Sequence, residues 1–441
     1  MSSIEIMPLD QLISEEMAVK RTSVSRRQFL KATVPAGALA SAPLIIPGSA
    51  LGKNGALPAS ERIVLGGIGI GSRGGLVLSS FMSQPEIQFV AICDIRAERR
   101  DAIKTKADEK YGNKDCAKYS NIHEILARPD IDAVLIATGD RWHTTASILA
   151  ARAGKDIYCE KPCSMTIAES LALADTVRRF GCVYQAGTQR RNVANFTYVI
   201  GLVHGGTLGK LQTVHANTQD PKVTHNWLPA QPEPPKDVVD WDAWLGPCPW
   251  RPFHSDYVRG RWRGYFDFHG GGILEWGSHT VDLCQWANKA DNSAPVEYEP
   301  QGKDVICLYA NGVKLVMREG GWQKDLGTCC VRFEGDSGWI ETGDFARMNL
   351  SDNLKDKHKT FTERGTTPDG HVRDFLNCVK SRATPRSNAD ATSQSHIACH
   401  AAYIAWQLGR KLKYDPVKNE FVGDAEANRM RSRAIREPWR V

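Results

Sequence analysis

The chain has 441 residues, of which 42% are apolar and 24% are charged. A chain of this length exceeds one ordinary hydrophobic core and predicts two or three domains, while its composition excludes both a disordered protein and a bundle of membrane helices. The net charge of +6 is spread along the sequence, with part of it in the N-terminal segment and in the last dozen residues. Nucleic-acid binding is therefore not indicated.

The N-terminal segment carries the pattern of an export signal. Residues 25–31 read SRRQFLK, and a weakly apolar stretch follows at residues 32–46. This combination is typical of a twin-arginine signal, and its apolar run, interrupted by prolines, is too short for a stable membrane span. We expect the twin-arginine translocation machinery to export the protein to the periplasm or beyond, with cleavage near Ala50. A basic, poorly ordered N-terminus is the alternative.

Residues 1–57 are expected to form this signal and a linker, after which strands and helices alternate. Strands are predicted at residues 63–68, 87–93, 133–137, 156–159 and 182–186. Helices are predicted between them, at residues 72–83, 97–111, 143–153 and 167–180. Alternating units with continuously apolar strands indicate a doubly wound parallel sheet. We therefore predict an α/β fold with an NAD-binding Rossmann domain over residues 58–186.

After Gly187, strand-like runs alternate with long loops that are rich in tryptophan and proline. The runs lie at residues 211–216, 305–309, 313–318 and 328–333. They predict an α+β substrate domain over residues 187–441 with an open, largely antiparallel sheet, whose exposed face favours a homo-oligomer. Residues 225–269 lack periodicity, and a loop of that length is usually functional, so we place it at the active-site rim. The C-terminal residues 437–439 are expected to dock on the protein.

The 12 cysteines show neither a disulfide framework nor the spacing of a metal site. Cys93, Cys159 and Cys182 lie in predicted strands, where cysteine usually behaves as a small apolar residue. Although export would place these thiols in an oxidising compartment, we predict mostly free, buried cysteines and no bound metal.

A glycine-rich turn follows the first predicted strand and opens the first helix. Gly69, Gly71 and Gly74 have the spacing at which a turn closes tightly and a pyrophosphate can approach the backbone N–H groups of the helix. Asp94 ends the second strand, where its carboxylate can accept both hydroxyls of a ribose. Because its charge would repel a 2′-phosphate, NAD is favoured. Arg96 could reach such a phosphate, so NADP stays open.

Lys161 follows the predicted strand at residues 156–159 and precedes Pro162. Removal of a hydride from a carbinol carbon needs a base for the hydroxyl proton, and a lysine near cationic or apolar groups can serve. The carboxyl end of this strand should lie beside the nicotinamide half of the crevice, as should the loop at residues 137–143. A lysine before a proline is otherwise most often a solvated loop residue.

Taken together, these motifs resemble those of the Gfo/Idh/MocA oxidoreductases, a family that includes glucose-fructose oxidoreductase and inositol dehydrogenase. The similarity covers nearly all of residues 62–441. It rests on the glycine turn with Asp94, the loop at 137–143, the Glu160-Lys161-Pro162 motif, and residues 185–191 and 270–282. The resemblance implies an NAD(P)-dependent oxidoreductase.

The resemblance also implies that Lys161 is the catalytic lysine and that His279 is its acid/base partner, with the carboxylates of the same helix nearby. Helical spacing agrees, because Glu275, His279 and Asp282 are separated by four and three residues and so share one face. We expect Asp282 to orient His279, whose imidazole would titrate near neutrality. Many relatives have aspartate where this chain has Glu275, so the longer arm is expected to shift the acid/base geometry.

The remaining candidate site residues belong to the same motifs. Nucleotide contacts are expected from Gly69, Gly71, Ser72, Arg73, Gly74, Asp94, Thr138, His143, Glu160, Lys161 and Gln189. Substrate contacts are expected from Arg190, Arg191 and Trp276, although both arginines could instead contact the cofactor or pair with surface carboxylates.

Aromatic residues suggest the class of substrate. The long loop and the next helix carry a group of them, namely Trp227, Trp250, Trp262, Tyr265 and Trp276. Tryptophan and tyrosine rings stack on the C–H faces of sugars, so the group favours a carbohydrate or a related polyol. For each residue alone, anchoring of the loop is the alternative.

Export and cofactor chemistry together constrain the function. Free NAD should be scarce outside the cytoplasm, so we expect the nucleotide to be loaded before export and to stay tightly bound. The sequence then predicts an exported oxidoreductase that transfers hydride from a sugar or polyol to a second carbonyl compound. Redox-neutral glycoside cleavage or epimerisation through a keto-sugar is one alternative. A non-catalytic sugar-binding relative is another.

Overall fold

The structure is a computed structural model that describes residues 57–440. Ser60–Val441 form one compact unit. The predicted export signal and its cleavage point near Ala50 lie outside the described residues. Within the described range, every helix is too short or too polar to cross a membrane.

A six-stranded parallel sheet forms the first half of this unit. Its strands are β1 (Ile63–Ile68), β2 (Ile87–Cys93), β3 (Ala117–Tyr119), β4 (Ala133–Ile136), β5 (Asp156–Cys159) and β6 (Tyr184–Ala186). They pair in the order β3-β2-β1-β4-β5-β6, and every pair is parallel. The chain therefore winds outward in both directions from β1, as the predicted Rossmann topology requires, and this part of the fold prediction is confirmed.

Helices cover both faces of this sheet. They are α1 (Ser72–Ser83), α2 (Ala97–Tyr111), α3 (Ile122–Leu126), α4 (Asp140–Arg152) and α5 (Ile167–Phe180). The predicted bounds of α1, α2 and α5 match the structure. The short β3 and α3 were not predicted. Helix α4 begins three residues earlier than predicted because Gly139 is its N-cap and the polar residues 140–143 form its buried first turn.

A nine-stranded mixed sheet forms the second half. Its strands are β7 (Leu211–Thr218), β8 (Glu297–Gln301), β9 (Asp304–Leu308), β10 (Lys314–Glu319), β11 (Val331–Gly335), β12 (Gly338–Thr342), β13 (Met348–Leu350), β14 (Leu412–Asp415) and β15 (Glu420–Phe421). They pair in the order β13-β12-β11-β7-β10-β9-β8-β14-β15. Among the described strands of this second sheet, only the pair of β7 with β10 is parallel, so the largely antiparallel sheet is confirmed.

The helices of the second half are α6 (Ala194–His204), α7 (Trp241–Leu245), α8 (Gly272–Ala287), α9 (Asp369–Ser381), α10 (Ala389–Leu408) and α11 (Ala425–Arg429). Apolar residues of α8 and α10 join those of the central strands in one hydrophobic core. On the other side, strands such as β9 alternate buried with half-buried residues. One face of the sheet is thus covered by helices, while the predicted homo-oligomer stays a prediction, as does the domain boundary after residue 186.

The segment at residues 225–269 has little regular structure, as predicted, but it has a hydrophobic core of its own. Helix α7 and a helical turn at Tyr257–Arg261 lie within it. Their aromatic rings pack together in a cluster that includes Trp241, Trp244, Tyr257 and Phe268.

All 12 cysteines are free, and all except the partly exposed Cys182 are buried, which confirms the prediction of free thiols.

A buried histidine of α10 holds the loop that follows β5. The Nδ1–H of His396 donates to the carbonyl oxygen of Thr392 at 2.8 Å, and its Nε2 accepts from the backbone N–H of Cys163 at 3.0 Å. Both bonds need the neutral imidazole, since a protonated Nε2 could no longer accept. Burial lowers the pKa of His396 to about 3.

We predict that His396 makes the protein less stable as the pH falls below about 6.5, the pKa of an unfolded histidine. Below that pH the imidazole of His396 binds a proton in the unfolded state but stays neutral in the folded state. This single residue should then remove about 1.4 kcal/mol from the free energy of unfolding per pH unit, down to about pH 3. Urea unfolding at several pH values measures how steeply the free energy of unfolding depends on pH. In His396→Gln this dependence should be weaker by the contribution of one proton, about 1.4 kcal/mol per pH unit. An NMR titration in which His396 charges near pH 6.5 would contradict this account.

Candidate active site

One large cavity runs along the carboxyl ends of the parallel strands. It has a volume of about 1020 Å³ and is lined by residues that follow β1 to β5 and by one face of α8. Ligands of open α/β sheets bind in this crevice, where the strand order reverses. Most of the predicted site residues line it: Gly69, Gly71, Ser72, Arg73, Gly74, Asp94, Thr138, His143, Glu160, Lys161, Gln189, Arg190, Glu275, Trp276 and His279.

The glycine turn between β1 and α1 has the room that a pyrophosphate needs. Gly69 has a φ of +68°, and a Cβ on it would lie 2.3 Å from the side chain of Thr138. A Cβ on Gly74 would lie 2.6 Å from the Cβ of Ala137, so this glycine lets α1 pack closely on the end of β4. A Cβ on Gly71 would instead enter open space, where a phosphate can approach the N-terminus of α1. The turn fits a dinucleotide.

Asp94 stands at the carboxyl end of β2. Its Oδ1 accepts a hydrogen bond of 3.0 Å from the backbone N–H of Arg96. Burial raises the pKa of this carboxyl, although nearby arginines counteract the shift. Arg96 also lines the cavity, where its guanidinium is held by a hydrogen bond of 3.0 Å to the carbonyl oxygen of Val258. This arrangement suits a ribose diol and favours NAD over NADP.

Two contacts position the loop that carries Lys161. His143, on the first turn of α4, has its Nδ1 2.6 Å from the carbonyl oxygen of Pro162, so Nδ1 carries the proton and donates. Arg73, on the first turn of α1, donates from Nε to Glu160 at 3.3 Å. The ends of β1, β4 and β5 are thereby held together around the cavity.

Lys161 is fixed by a carboxylate from α8. Its Nζ donates to Oε1 of Glu275 at 2.9 Å and to the carbonyl oxygen of the same residue at 2.8 Å. The two side chains are only 17% and 13% exposed. His269 holds the other carboxylate oxygen: its Nδ1 accepts from the backbone N–H of Gly264 at 3.2 Å, so its Nε2 carries the proton and donates to Oε2 of Glu275 at 3.1 Å.

These contacts keep Glu275 ionised. Burial alone would raise the pKa of its carboxyl, but the charge of Lys161 and the hydrogen bond from His269 lower it well below its usual value. Glu275 is therefore suited to orienting Lys161 rather than to accepting a proton.

Asp140, His269 and Glu275 bring three atoms that can bind a metal within 4.8 Å of one another. Their hydrogen bonds explain this proximity in another way. Oδ2 of Asp140 accepts from the backbone N–H of Gly270 at 3.2 Å, and Glu275 already pairs with Lys161, whose ammonium would repel a cation. We interpret the group as the frame that positions Lys161.

His279 lies one turn beyond Glu275 on α8, and Arg190 determines its protonation. Nη1 of Arg190 donates to Nε2 of His279 at 2.8 Å, since a guanidinium can only donate. The proton of the neutral ring is therefore on Nδ1, which is buried and has no hydrogen-bond partner within the described structure. Burial, together with the charges of Arg190 and Lys161, lowers the pKa of His279 well below its ordinary value. The expectation that it titrates near neutrality was wrong.

Asp282 does not orient His279, so that expectation was also wrong. Its carboxylate pairs with Arg191 through two hydrogen bonds of 2.7 and 2.8 Å, and both side chains are almost fully buried. Arg191 also pairs with Asp291 at 2.7 Å. Neither Asp282 nor Arg191 is among the residues that line the cavity. Glu275, His279 and Asp282 share a helix face, as predicted. Asp282, however, lies three residues beyond His279 on α8, outside the part of the helix that lines the cavity.

Arg190 lines the cavity, and each of its three guanidinium nitrogens makes a hydrogen bond to another side chain. Besides the bond to His279, its Nε and Nη2 donate to Asp344 at 3.0 and 2.7 Å. Both arginines pair with carboxylates, as the alternative proposed, but Asp344 and Asp282 are buried and not at the surface as that alternative expected. Arg190 acts on the cavity through His279.

The aromatic residues divide into two groups. Trp262 and Trp276 line the cavity. Trp227 and Trp250 are about half exposed and lie outside its lining, and Tyr265 packs edge-on against Tyr257 with centroids 5.0 Å apart. Anchoring of the loop was therefore the correct interpretation for Tyr265, and only Trp262 and Trp276 are placed to contact a substrate.

The residues that sequence reasoning missed include two that line the cavity, Arg141 and Trp439, and one that contacts its lining, His269. Arg141 stacks on Trp244, 3.4 Å from the ring centroid, and its buried Nη1 lacks a hydrogen-bond partner within the described structure. His269 comes six residues before Glu275, a spacing that no helical pattern would have revealed. Trp439, near the C-terminus, lines the cavity as well. Arg141 belongs to a loop that was expected to line the crevice, but the other two are brought in only by tertiary packing.

Comparison with known proteins places these features in a family. A profile described as "Oxidoreductase family, NAD-binding Rossmann fold" matches residues 63–188. A second, described as "Oxidoreductase family, C-terminal alpha/beta domain", matches residues 202–441. The chain belongs to the Gfo/Idh/MocA oxidoreductase family. The first half of this oxidoreductase is thus an NAD-binding Rossmann domain.

Individual relatives are distant. Myo-inositol 2-dehydrogenase of Thermotoga maritima is 25% identical over 283 residues, which are 64% of this chain and 68% of the relative. A glycosyl hydrolase family 109 protein of Saccharopolyspora erythraea is 29% identical over 214 residues, 42% of this chain and 44% of the relative. The solved structure of levoglucosan dehydrogenase with NADH and levoglucosan has a TM-score of 0.59 at 16% identity, and the alignment covers 80% of this chain and 99% of that one. This last likeness shows a shared fold.

We predict that Gly74→Ala weakens nucleotide binding, whereas the neighbouring Gly75→Ala does not. The new methyl group on residue 74 would lie 2.6 Å from the Cβ of Ala137, so α1 has to move away from β4 and displace the phosphate site. The same methyl group on residue 75 meets no atom within 4 Å and should stabilise the helix by about 0.5–1 kcal/mol. Fluorescence titration with NADH measures the nucleotide affinity of both variants. Equal affinities for the two variants would contradict the proposed role of this turn.

Proposed function

We propose that this protein is an exported, NAD-dependent oxidoreductase that oxidises a hydroxyl-bearing carbon of a sugar or related polyol while its nucleotide stays tightly bound. The observation that carries the proposal is the convergence of Lys161 and His279 on one cavity that the glycine turn also lines. When bound, NAD would supply the hydride acceptor. The residues of this chain account for the rest of the chemistry.

Lys161 is the group that we assign to the substrate hydroxyl. A lysine ammonium has three N–H groups, and Glu275 accepts two of them. The third remains for a substrate oxygen. With its position fixed by Glu275, Lys161 in its amine form takes the hydroxyl proton as the C–H bond breaks, and in its ammonium form returns the proton in the reverse direction.

His279 supplies a second, neutral contact to the same substrate. Because Arg190 occupies Nε2, the Nδ1–H is the only polar hydrogen of this ring. It is buried and has no partner in the described structure, so we infer that the ring shifts slightly toward the cavity when substrate binds and that an oxygen of the substrate then becomes its partner. A neutral donor beside Lys161 fixes the orientation of the carbinol without adding a second positive charge. We therefore assign the role of base to Lys161 alone. His279, expected from the sequence to be its acid/base partner, is assigned the role of a neutral hydrogen-bond donor that orients the substrate.

Two observations support a sugar or polyol as the substrate. Trp262 and Trp276 line the cavity, and tryptophan rings stack on sugar C–H groups. The relatives named above act, by their names, on myo-inositol and on glycosides, and a structure with the same fold holds levoglucosan. All three are ring compounds with several hydroxyl groups.

Export and nucleotide retention are proposed together. The twin-arginine pattern of residues 25–31 supports transport of a folded protein, so the nucleotide can be loaded before export. A protein that released NADH in each cycle would lose its cofactor outside the cytoplasm. Retention requires that the reduced nucleotide be reoxidised in place by a second carbonyl compound.

A redox-neutral reaction is the second candidate, and the similarity to glycosyl hydrolase family 109 proteins favours it. In that chemistry the hydroxyl is oxidised, the new ketone acidifies the neighbouring C–H bond, and the glycosidic leaving group departs by elimination. Water then adds to the double bond, and return of the hydride restores the hydroxyl. No electrons are lost to an external acceptor.

We predict that Lys161→Ala retains the nucleotide but reduces it at least about 10³-fold more slowly in the presence of substrate, within the range for loss of a general base. Absorbance at the wavelength of NADH measures the reduction in a panel of sugars and polyols. Lys413→Ala is the matched control, because Lys413 is exposed on β14 and does not line the cavity. Undiminished reduction in Lys161→Ala would remove the lysine from the mechanism.

A second experiment separates the two chemistries. For net hydride transfer we expect one equivalent of NADH per protein and no further product until a carbonyl acceptor is added. Redox-neutral cleavage would give many turnovers of a glycoside without acceptor, and in D₂O the product would carry deuterium on the carbon beside the oxidised one. Mass spectrometry of the product reads out this label, and finding it would replace the leading proposal with the second.

A further inference from the structure

The adenosine end of the cavity is covered by two segments that are remote in sequence. One is residues 236–245 of the long loop, which include α7. The other is the C-terminal tail, defined here as residues 436–439. Both segments contribute to the lining of the cavity, opposite Asp94 and residues 120–124.

Backbone hydrogen bonds fasten residues 236–245 to the corner that follows β2. The N–H of Asp240 donates to the carbonyl oxygen of Ile95 at 3.2 Å, and the N–H of Ala97 donates to that of Val238 at 3.0 Å. An isolated β-bridge pairs Arg96 with Val239. The segment thus lies across the residues that flank Asp94, where the adenosine ribose is expected.

The C-terminal tail is fastened to this segment in turn. The guanidinium of Arg436 donates to the carbonyl oxygens of Asp242 and Gly246 at 2.7 and 3.1 Å, and it also pairs with the Asp242 carboxylate. The backbone N–H of the same arginine donates to the carbonyl oxygen of Pro247 at 2.9 Å. These bonds determine where the last residues of the tail lie.

Trp439 is the aromatic residue of the tail that lines the cavity. Its ring packs edge-on against Trp142 with centroids 4.6 Å apart, and it lies parallel to the ring of His123 at 6.1 Å. Trp142 follows β4 and His123 follows β3, so Trp439 bridges the two strand ends that flank the adenosine side. Because the indole N–H of Trp439 is buried, its aromatic ring is the part that a nucleotide in the cavity can contact.

We propose that Trp439 is a nucleotide-binding residue and that the C-terminal tail, held by Arg436, slows the release of the nucleotide. This inference rests on the proposed function, since it assigns a physical basis to cofactor retention. Closure of the adenosine end leaves the nicotinamide end, beside Lys161 and His279, open to substrate. Substrates can then exchange while the nucleotide remains.

The test is the rate at which NADH leaves the full-length protein, measured by stopped-flow fluorescence with an excess of NAD as competitor. We expect Trp439→Ala to release NADH at least about 10-fold faster, which corresponds to about 1.4 kcal/mol, and Trp439→Phe to stay within about 3-fold of the wild type because it keeps an aromatic ring. Arg436→Ala should also accelerate release, because the tail loses its anchor.

Two matched controls accompany these variants. Trp250→Ala removes an exposed tryptophan that does not line the cavity, and Arg440→Ala removes an exposed arginine beside the tail. Both should release NADH at the wild-type rate. Should Trp439→Ala fail to fold, Arg436→Ala decides the question alone, since that side chain is partly exposed and lies at the surface of α7.

Failure of this inference can be told apart from failure of the proposed function. If the wild type binds NADH and both Trp439→Ala and Arg436→Ala release it at the wild-type rate, the role of the tail is overturned while the oxidoreductase proposal stands. If the wild type binds neither NADH nor NAD at millimolar concentrations, both are overturned.

Discussion

The bond between Lys161 and Glu275 joins the end of β5 to α8, and most of the site geometry follows from it. The carboxylate comes from the second half of the molecule and the ammonium from the first, so the two halves share one buried charge pair beside the cavity. Removing either partner would leave the other charge uncompensated in a largely buried position, which is costly. His269 completes the arrangement by occupying the remaining carboxylate oxygen. The lysine is thereby held in one place before any substrate enters.

Two consecutive arginines extend this connection along α8. Arg190 pairs with His279 and Asp344, while Arg191 pairs with Asp282 and Asp291. The side chains of Glu275, His279 and Asp282 thus each meet a cation from the Rossmann half or from the turn that follows β6. A positive charge on His279 would be repelled by both Arg190 and Lys161, which explains why this imidazole is neutral. The chemistry at the cavity is then left to Lys161.

Much of the first half could be predicted from sequence because its apolar strands and glycine turn are local signals. The bounds of β1, β2 and β5 were predicted correctly for that reason. The site was predicted only in part. Helical spacing placed Glu275, His279 and Asp282 on one face, but it carries no information about which partner each side chain meets across the core. Arg191 and Trp439 owe their positions to contacts over long sequence separations, and His269 reaches Glu275 through irregular backbone, so a pattern of neighbouring residues cannot show any of the three.

The aromatic core inside residues 225–269 has a consequence for how such an enzyme can diversify. Trp241, Trp244, Tyr257 and Phe268 keep this segment folded by packing mainly against one another. Exposed residues on its cavity side that lie outside this cluster, such as Arg259 and Gly260, can therefore be exchanged over evolutionary time without disturbing either sheet. New substrate preferences can arise in this segment while Lys161 and Glu275 beneath it stay unchanged.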